Sequence, residues 1–396
     1  MIRADDADDE LLRFIERVRS ESPADAGVAA ELASVLARSG ESLAPASEAT
    51  VDVASTGGPS SLTTLLCPLY LRVAGCLVPK LGVPGRPAGG VDCLAQLPGY
   101  RTVLSGEELR EVLEAAGYAH FEAAGRFAPF DARLFRLRQR HGVQAVPTLV
   151  CASLVAKKIA VGVQRAGLDI RVGEHGNFGR SWEEAQANAR LFRETALRHG
   201  IEAVPVITDG RFPYQPFIGR REALVAVRQA LSGTPGDWLG EHLSLCRTLA
   251  VASLPRERRA AAETATRKTL RSAFDANVVA QGANAPVLDE VAERTMAAHV
   301  RMVAASAEGF LQQSLTGVRD AIVSIQRRAP EGGPYPDPAG VILMRRPGDW
   351  VAAGEPVATI RVDSWVTDAE VAALADAVST THELPSGPTF RAEPPP

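Results

Sequence analysis

The stretch Val51-Asp-Val-Ala-Ser-Thr-Gly-Gly58 decides the fold class. Its first four residues alternate in the manner of a β-strand, and residues 62–75, beyond the glycines, have the pattern of a long apolar helix. A strand that enters a helix through a glycine-rich turn can hold an anion, because the helix N-terminus offers free backbone N–H groups. The same joint also occurs simply as a tight turn, and the stretch alone leaves both interpretations open.

The alternation of strands and helices continues on both sides of this stretch. Further strands are predicted at 76–80, 168–172 and 202–207. Further helices are predicted at 11–19, 28–38, 104–116, 130–139, 150–165 and 182–199. This order predicts a mixed α/β protein with a mainly parallel sheet. The helices before Val51 and those at 130–160 are expected to form a separate, smaller helical layer.

The remainder of the chain is predicted to be polar helices over 255–327, a loop rich in proline and glycine at 329–340, and a β-hairpin formed by 341–344 and 355–362. The predicted organisation has four parts. These are a helical domain (1–45 and 126–165), an α/β domain (46–125 and 166–328), a C-terminal α+β part that contains the hairpin (329–384) and a disordered tail (385–396).

Charge and composition exclude several classes of function. The chain has 43 basic and 47 acidic side chains, a net charge of −4, which argues against a nucleic-acid-binding protein or one held on an anionic membrane. The first ten residues are acidic and lack the apolar core of a signal peptide. The five cysteines lie in apolar segments without a CxxC pair, as buried thiols in a reducing compartment do. We therefore expect a cytoplasmic protein without a membrane anchor.

One group of side chains predicts a binding site for a flat ligand. Ser153 and Lys157 stand four residues apart, so they share one face of the predicted helix at 150–165, and Arg138 lies fifteen residues earlier on a neighbouring helix. A hydroxyl, an ammonium and a guanidinium that converge suit a ring with carbonyl oxygens, such as a pyrimidine. By spacing alone these residues could equally be surface charges on amphipathic helices.

Eight blocks of sequence resemble one known family in the same order. They are Ser39-Gly-Glu41, Asp52-Val-Ala-Ser-Thr-Gly-Gly58, Val78-Pro-Lys80, Gly89-Gly-Val-Asp92 with Leu97-Pro-Gly-Tyr100, Ala152-Ser-Leu-Val-Ala-Lys-Lys158, Asp169-Ile-Arg-Val-Gly173, Ala280-Gln-Gly-Ala283, and Asp337-Pro-Ala-Gly-Val-Ile342 with Pro347-Gly-Asp-Trp-Val-Ala-Ala-Gly-Glu-Pro-Val-Ala-Thr-Ile360. With these motifs the chain resembles the thymidine and pyrimidine-nucleoside phosphorylase family over most of its length.

The resemblance implies a fold and a site. The fold would be that of type II nucleoside phosphorylases, with a cleft between a helical and an α/β domain. The family's base-binding arginine, serine and lysine fall on Arg138, Ser153 and Lys157. The implied ligands are a pyrimidine base or nucleoside, together with phosphate or an activated sugar. The resemblance implies a homodimer formed through the helical domain. It implies neither a cofactor nor a metal.

The phosphate end departs from the family pattern. The lysine and histidine of the family's D-K-H-S-T-G-G motif are replaced by Val53 and Ala54, and hydroxyl positions of the family fall near Gly82 and on Val91. A phosphate needs a cation or several N–H donors once the cleft closes, since burying it unpaired costs several kcal/mol.

Other residues are predicted to serve this end instead. The predicted phosphate- or donor-binding residues are Ser55, Thr56, Ser60, Thr64 and Arg86, of which Arg86 would supply a substitute charge. His141 and His175 are the histidines that could replace the missing acid.

Three functions remain open on the sequence. The first is a pentosyltransferase that makes or breaks a pyrimidine N-glycosidic bond with an altered partner at the sugar end, in a specialised nucleoside pathway. The second is ordinary phosphorolysis of thymidine or uridine. The third is a catalytically silent protein that closes on a pyrimidine.

Overall fold

The computed structural model describes residues 2–43, 49–123, 125–173, 178–330, 333 and 335–383. The helices are α1 (Asp8–Glu21), α2 (Ala26–Ala37), α3 (Thr63–Val73), α4 (Gly90–Leu94), α5 (Gly106–Ala116), α6 (Pro129–Arg140), α7 (Pro147–Ala160), α8 (Trp182–Leu197), α9 (Arg220–Ser232), α10 (Asp237–Ser253), α11 (Arg259–Glu263), α12 (Arg267–Ala280), α13 (Val287–Ala297), α14 (Leu315–Arg327) and α15 (Asp368–Asp376). The strands are β1 (Val51–Ser55), β2 (Val78–Gly82), β3 (Tyr118–Glu122), β4 (Arg165–Val172), β5 (Glu202–Asp209), β6 (Phe217–Ile218), β7 (Arg301–Ala304), β8 (Gly309–Gln313), β9 (Ala339–Leu343), β10 (Trp350–Val351), β11 (Pro356–Val362) and β12 (Val378–Thr381).

Parallel strands form the centre of the molecule. β1, β4 and β5 form a parallel sheet in the order β1-β4-β5, and β2 pairs in parallel with β3. A parallel bridge between Thr50 and Leu77 connects the two sheets just before β1 and β2 begin. The predicted α/β fold with a parallel sheet is confirmed. Strand β3, which follows the left-handed Gly117 at the end of α5, was not predicted.

Helices cover both faces of these strands. One core cluster joins α1, α2, α6, α7 and α8 to the apolar side chains of β4 and to β3. A second cluster joins α3, α9, α10, α12 and α13 to β1 and the start of β2. The predicted helical layer before Val51 and around 130–160 thus packs on one side of the sheets. The domain boundaries drawn from the sequence stay a prediction.

The C-terminal part is antiparallel. β9 pairs with β11 as the predicted hairpin requires, in a sheet of order β6-β9-β11-β7, and β10, β8 and β12 form another sheet. The prediction that 255–327 is helical was wrong between α13 and α14, where β7 and β8 occur. Both are short strands whose backbone pairs with β11 and β12, far along the chain, so local periodicity does not report them.

Two further observations concern the described ranges. All five cysteines are buried free thiols. None of the described helices combines the length and the apolar character needed to cross a membrane. The predicted disordered tail at 385–396 lies outside the described residues, as does His175.

The helix that leads into β3 provides a stability prediction. Ser105 caps α5 by accepting a hydrogen bond from the Glu108 N–H, and the Glu108 side chain accepts one from the Ser105 N–H in return. We expect Ser105→Ala to lower the free energy of unfolding by about 1 kcal/mol, because the helix loses a cap. Denaturant unfolding measures this. Ser244→Ala, at an exposed serine inside α10, is the control, and equal losses in both variants would contradict the assignment.

Candidate active site

A cleft of ≈ 1290 Å³ opens at the carboxyl ends of β1 and β2, where ligands bind in many α/β proteins. Its walls come from the loops after these two strands, from α6 and α7 of the helical layer, and from α14. Among the described residues, ten basic and two acidic side chains line it. The chain as a whole has a net charge of −4, so the cleft is a local concentration of positive charge that favours anionic ligands.

At one end, which we call the base end, the side chains of α6 and α7 meet. The Lys157 Nζ donates hydrogen bonds to Asp131 Oδ2 at 2.8 Å, to Ser153 Oγ at 2.8 Å and to the Ser153 carbonyl oxygen at 2.5 Å. Burial lowers the pKa of the Lys157 ammonium, and the Asp131 carboxylate partly offsets this. The Ser153 hydroxyl therefore accepts from the lysine and keeps its own hydrogen for a ligand.

Arg138 completes the base end. Its buried guanidinium donates to the carbonyl oxygens of Val143, Gln144 and Leu149 in and beside the turn between α6 and α7. Burial lowers the pKa of Arg138 to about 10. Of the five N–H donors of an arginine, three are used in this way and two are left for a ligand in the cleft. The structure thus brings Arg138, Ser153 and Lys157 to one wall, as the sequence predicts.

Two further lysines lie at the floor of the opposite end, which we call the sugar end. Lys80 Nζ donates to Asp52 Oδ1 at 2.7 Å and to the Val53 carbonyl oxygen, and Lys158 Nζ donates to Asp52 Oδ2. Burial alone would raise the pKa of Asp52, but Lys158 and Lys80 outweigh it and hold that pKa far below its usual value. This lysine–aspartate triad of Lys80, Asp52 and Lys158 has two positive charges and one negative, so one positive charge faces the cleft unbalanced.

The loop after β1 supplies hydroxyl groups beside the triad. Ser55, Thr56 and Thr64 all line the cleft. The φ angles of Gly57 and Gly58 are +103° and +134°, a region that favours glycine, so the turn depends on both residues. The Ser55 Oγ donates to Asp169 and accepts from the Gly57 N–H, which fixes its position at the mouth of the turn.

A buried arginine supports this loop from below. The Arg171 guanidinium bonds to Asp169, Ser61 and Thr63, and lies 4.4 Å from the centre of the Tyr214 ring. Arg171 is absent from the cleft lining, so it positions the loop and does not contact a ligand.

The structure does not bring Ser60 into the cleft. Its side chain is buried, and its hydroxyl accepts from the backbone N–H of Tyr214. The residue holds the loop against the segment that follows β5, and we leave it out of the sugar end.

The Arg86 side chain extends toward α6 in the wall of the cleft. Its guanidinium stacks 4.5 Å from the centre of the Phe135 ring on α6, one turn before Arg138. Its loop is fixed by Asp92, which accepts from the backbone N–H groups of Gly85 and Arg86. Burial lowers the pKa of Arg86, and Asp92 partly offsets this. The guanidinium has no hydrogen bond or ion pair with any residue that the structure describes, so it is free to engage a ligand between the two ends.

The histidine at the sugar end is a different one from those predicted. His141 is exposed and does not line the cleft, and His175 is outside the described residues. His120, in the middle of β3, does line it. The sequence offers no signal for this residue, because Tyr118-Ala-His-Phe121 has the appearance of a buried core segment.

Comparison with known proteins identifies the family. No family model matches the sequence. The thymidine phosphorylase of Mycobacterium tuberculosis is 33% identical over 322 residues, which cover 79% of this chain and 72% of that protein. The chain belongs to the thymidine and pyrimidine-nucleoside phosphorylase family. The pyrimidine-nucleoside phosphorylase of Geobacillus stearothermophilus is 26% identical over 334 residues, 78% of this chain and 74% of that protein. Among solved structures, anthranilate phosphoribosyltransferase from Thermus thermophilus aligns over 74% of this chain and 95% of that chain, with 17% identity and a TM-score of 0.44.

Two positions set this member apart from the family motif quoted above. Val53, where the motif has lysine, is buried in the second core cluster and is absent from the cleft lining. Ala54, where the motif has histidine, lines the cleft and presents only a methyl group. The cations and the imidazole of this cleft therefore come from other elements: Lys80 on β2, Lys158 on α7 and His120 on β3.

Proposed function

We propose that the protein transfers a pentosyl group to or from a pyrimidine base, and that the sugar end binds its anionic partner differently from the phosphorylases it resembles. The base-end residues and Ala54 line one cleft, whose wall lacks the lysine that the family motif has at position 53, and this combination carries the proposal. The same departure suits a specialised pathway that builds or degrades a modified nucleoside.

At the base end, the residues match the chemistry of a departing pyrimidine. Breaking the N-glycosidic bond leaves negative charge on the ring nitrogen and its carbonyl oxygens, and making the bond removes that charge. The Lys157 ammonium and the two free N–H groups of Arg138 would stabilise the charge, and the Ser153 hydroxyl would orient the ring. All three Lys157 protons are used within the protein, so a direct contact with the base would replace one of its present bonds.

At the sugar end, the unbalanced charge of the lysine–aspartate triad replaces a lysine at position 53. With the hydroxyls of Thr56 and Thr64, and with that of Ser55 once it exchanges its bond to Asp169, it would hold an oxyanion, whether inorganic phosphate in a new position or the leaving group of an activated sugar. The N-terminus of α3, next to these hydroxyls, favours the same charge.

The test is to follow the free base by chromatography. Thymidine, uridine, deoxyuridine and cytidine would be incubated with and without phosphate, and each free pyrimidine with a pentose 1-phosphate or a pentose 1-diphosphate. Base release without phosphate, or nucleoside formation from the diphosphate, would support the proposal. Release that requires phosphate at the efficiency of an ordinary phosphorylase would overturn the altered sugar end. Calorimetric binding of a pyrimidine without turnover of any donor would overturn transfer in favour of a silent binding protein.

A further inference from the structure

We infer that His120 binds the sugar-end ligand through its Nε2, as a neutral hydrogen-bond donor to an oxygen of the sugar or of the anionic partner. The inference rests on the proposed function, because it assumes that a ligand occupies the sugar end. It concerns a residue that lies outside every motif of the family pattern quoted above. Four observations carry it: the burial of the ring, its partner at Nδ1, the space next to Nε2 and the charges around it.

The ring is held from one side. His120 is 2% exposed, and its Nδ1 lies 3.0 Å from the hydroxyl of Tyr118, two residues earlier on the same face of β3. Among the residues that the structure describes, the Tyr118 hydroxyl has no other hydrogen-bond partner. If the ring donated from Nδ1 instead, the buried hydroxyl hydrogen of Tyr118 would have no acceptor among the described residues, which is costly. The bond therefore runs from Tyr118 to Nδ1 and leaves the proton of the imidazole on Nε2.

The Nε2 side of the ring is open to the cleft. No hydrogen bond joins Nε2 to a described residue, whereas His120 is part of the cleft wall. The ring fits there because position 90 has no side chain. A Cβ on Gly90 would lie 2.2 Å from the Cε1 of His120, 2.8 Å from its Nε2 and 3.1 Å from the Oγ1 of Thr64. Nε2 and the threonine hydroxyl therefore both lie beside Gly90 in the cleft wall, where one ligand would meet both.

The surrounding charges keep this ring neutral. Burial lowers the pKa of His120 well below 6.5. Lys80 on β2 and Lys158 on α7 lower this pKa further, and Asp52 on β1 partly offsets them. Tyr118 is the titratable group nearest on its own strand. The imidazole is therefore a donor without a charge, and the triad supplies the charge. A general acid at this position would need the protonated, positively charged imidazole instead.

The experiment measures the two ends of the cleft separately. His120→Phe removes the donor and is expected to raise KM for the sugar-end partner about tenfold, the value of one hydrogen bond to a charged group. Its calorimetric Kd for the free pyrimidine should stay within about twofold of the parent protein. His120→Gln, which keeps an N–H at a similar reach, should recover most of the loss. Tyr118→Phe removes the hydroxyl that donates to Nδ1, so the proton of the imidazole is no longer held on Nε2. This variant should raise the same KM by a smaller factor.

Controls separate this inference from folding and from the proposed function. His199→Gln, at a histidine that bonds to the Ala30 carbonyl oxygen away from the cleft, should change neither constant. An unchanged KM in His120→Phe, or a loss in His120→Gln as large as in His120→Phe, would overturn the inference. An inflection of the sugar-end KM between about pH 6 and 7 that disappears in His120→Gln would also overturn it, because the ring would then be titrating. If the parent protein binds no pyrimidine, the proposed function fails and not this inference alone.

Discussion

Replacing Lys157 by methionine is expected to lower kcat/KM for pyrimidine transfer by at least about a hundredfold, the range seen when one charge-stabilising donor is removed from an active site. The ammonium contacts both the hydroxyl and the carbonyl oxygen of Ser153, so its loss removes a positive charge and also frees the serine from its present orientation. Steady-state kinetics with each pyrimidine, together with calorimetric Kd values for the free bases, would measure the effect.

The same substitution has a structural cost that must be separated from the loss of activity. It leaves the buried Asp131 carboxylate without its partner, and breaking a buried ion pair in this way destabilises a protein by about 3–5 kcal/mol. The double variant Lys157→Met/Asp131→Asn removes both charges and should recover most of the stability but none of the activity. Lys268→Met, at an exposed lysine on α12, is the matched control. Turnover of every pyrimidine substrate within threefold of the parent protein would refute the base-end assignment.

The base end could be predicted from the sequence because two of its residues are close together along the chain. Ser153 and Lys157 are four residues apart on α7, so their proximity follows from helical geometry alone. The turn after β1 is local in the same sense, since its two glycines and the strand before them are contiguous. Arg138 lies on another helix, so spacing made its place in the group a hypothesis that the resemblance to the family then supported.

The triad and the histidine of the sugar end could not be predicted, because their contacts join distant parts of the chain. Asp52, Lys80 and Lys158 come from β1, β2 and α7, and only the packing of these elements creates the triad. His120 was missed because β3 was not predicted, and a strand places alternate side chains on a face that the sequence cannot identify. The sequence also does not give the direction of the Arg86 side chain, which stacks on the Phe135 ring, and the role of Arg86 as a substitute charge stays a prediction.

The scarcity of lysine is a sequence signal that points toward the triad. The chain has four lysines, and Lys80, Lys157 and Lys158 all line the cleft. Arginine supplies nearly all the positive charge of the chain, so a lysine in an apolar segment marks a place where a compact ammonium is required. Composition therefore contained information about the site that periodicity did not.

Asp52→Asn is expected to reduce the free energy of unfolding by about 3–5 kcal/mol, because it leaves two buried ammonium groups facing each other without a carboxylate. Thermal and denaturant unfolding measure this. Asp289→Asn, at a partly exposed carboxylate paired with Arg228 and Arg271, is the matched control and should cost only about 0.2–1 kcal/mol.

The pH dependence of this variant follows from the signs of the pKa shifts. The pKa of Asp52 is below its ordinary value of 3.8, so its stabilisation is present above pH 3.8 and is lost as the pH falls below it. Burial lowers the pKa of Lys158, and in Asp52→Asn the opposing attraction of the carboxylate is gone. As the pH approaches 10.5, Lys158 of this variant then binds more protons in the unfolded state than in the folded state. The free energy of unfolding of the variant should therefore rise with pH. The stability gap between the variant and the parent protein is therefore expected to narrow as the pH rises toward 10.5.

An anion should replace the missing carboxylate in the same variant. A sulfate or phosphate bound only by the folded state stabilises it in proportion to the logarithm of its concentration, and the two ammonium groups of Asp52→Asn offer a stronger site than the single unbalanced charge of the parent protein. At constant ionic strength, exchanging chloride for sulfate should therefore raise the Tm of Asp52→Asn more than that of the parent, and that of the parent more than that of Lys80→Met. Equal shifts in all three proteins would show that the unbalanced charge of the triad does not attract anions into the cleft, and the sugar end would then need another source of positive charge.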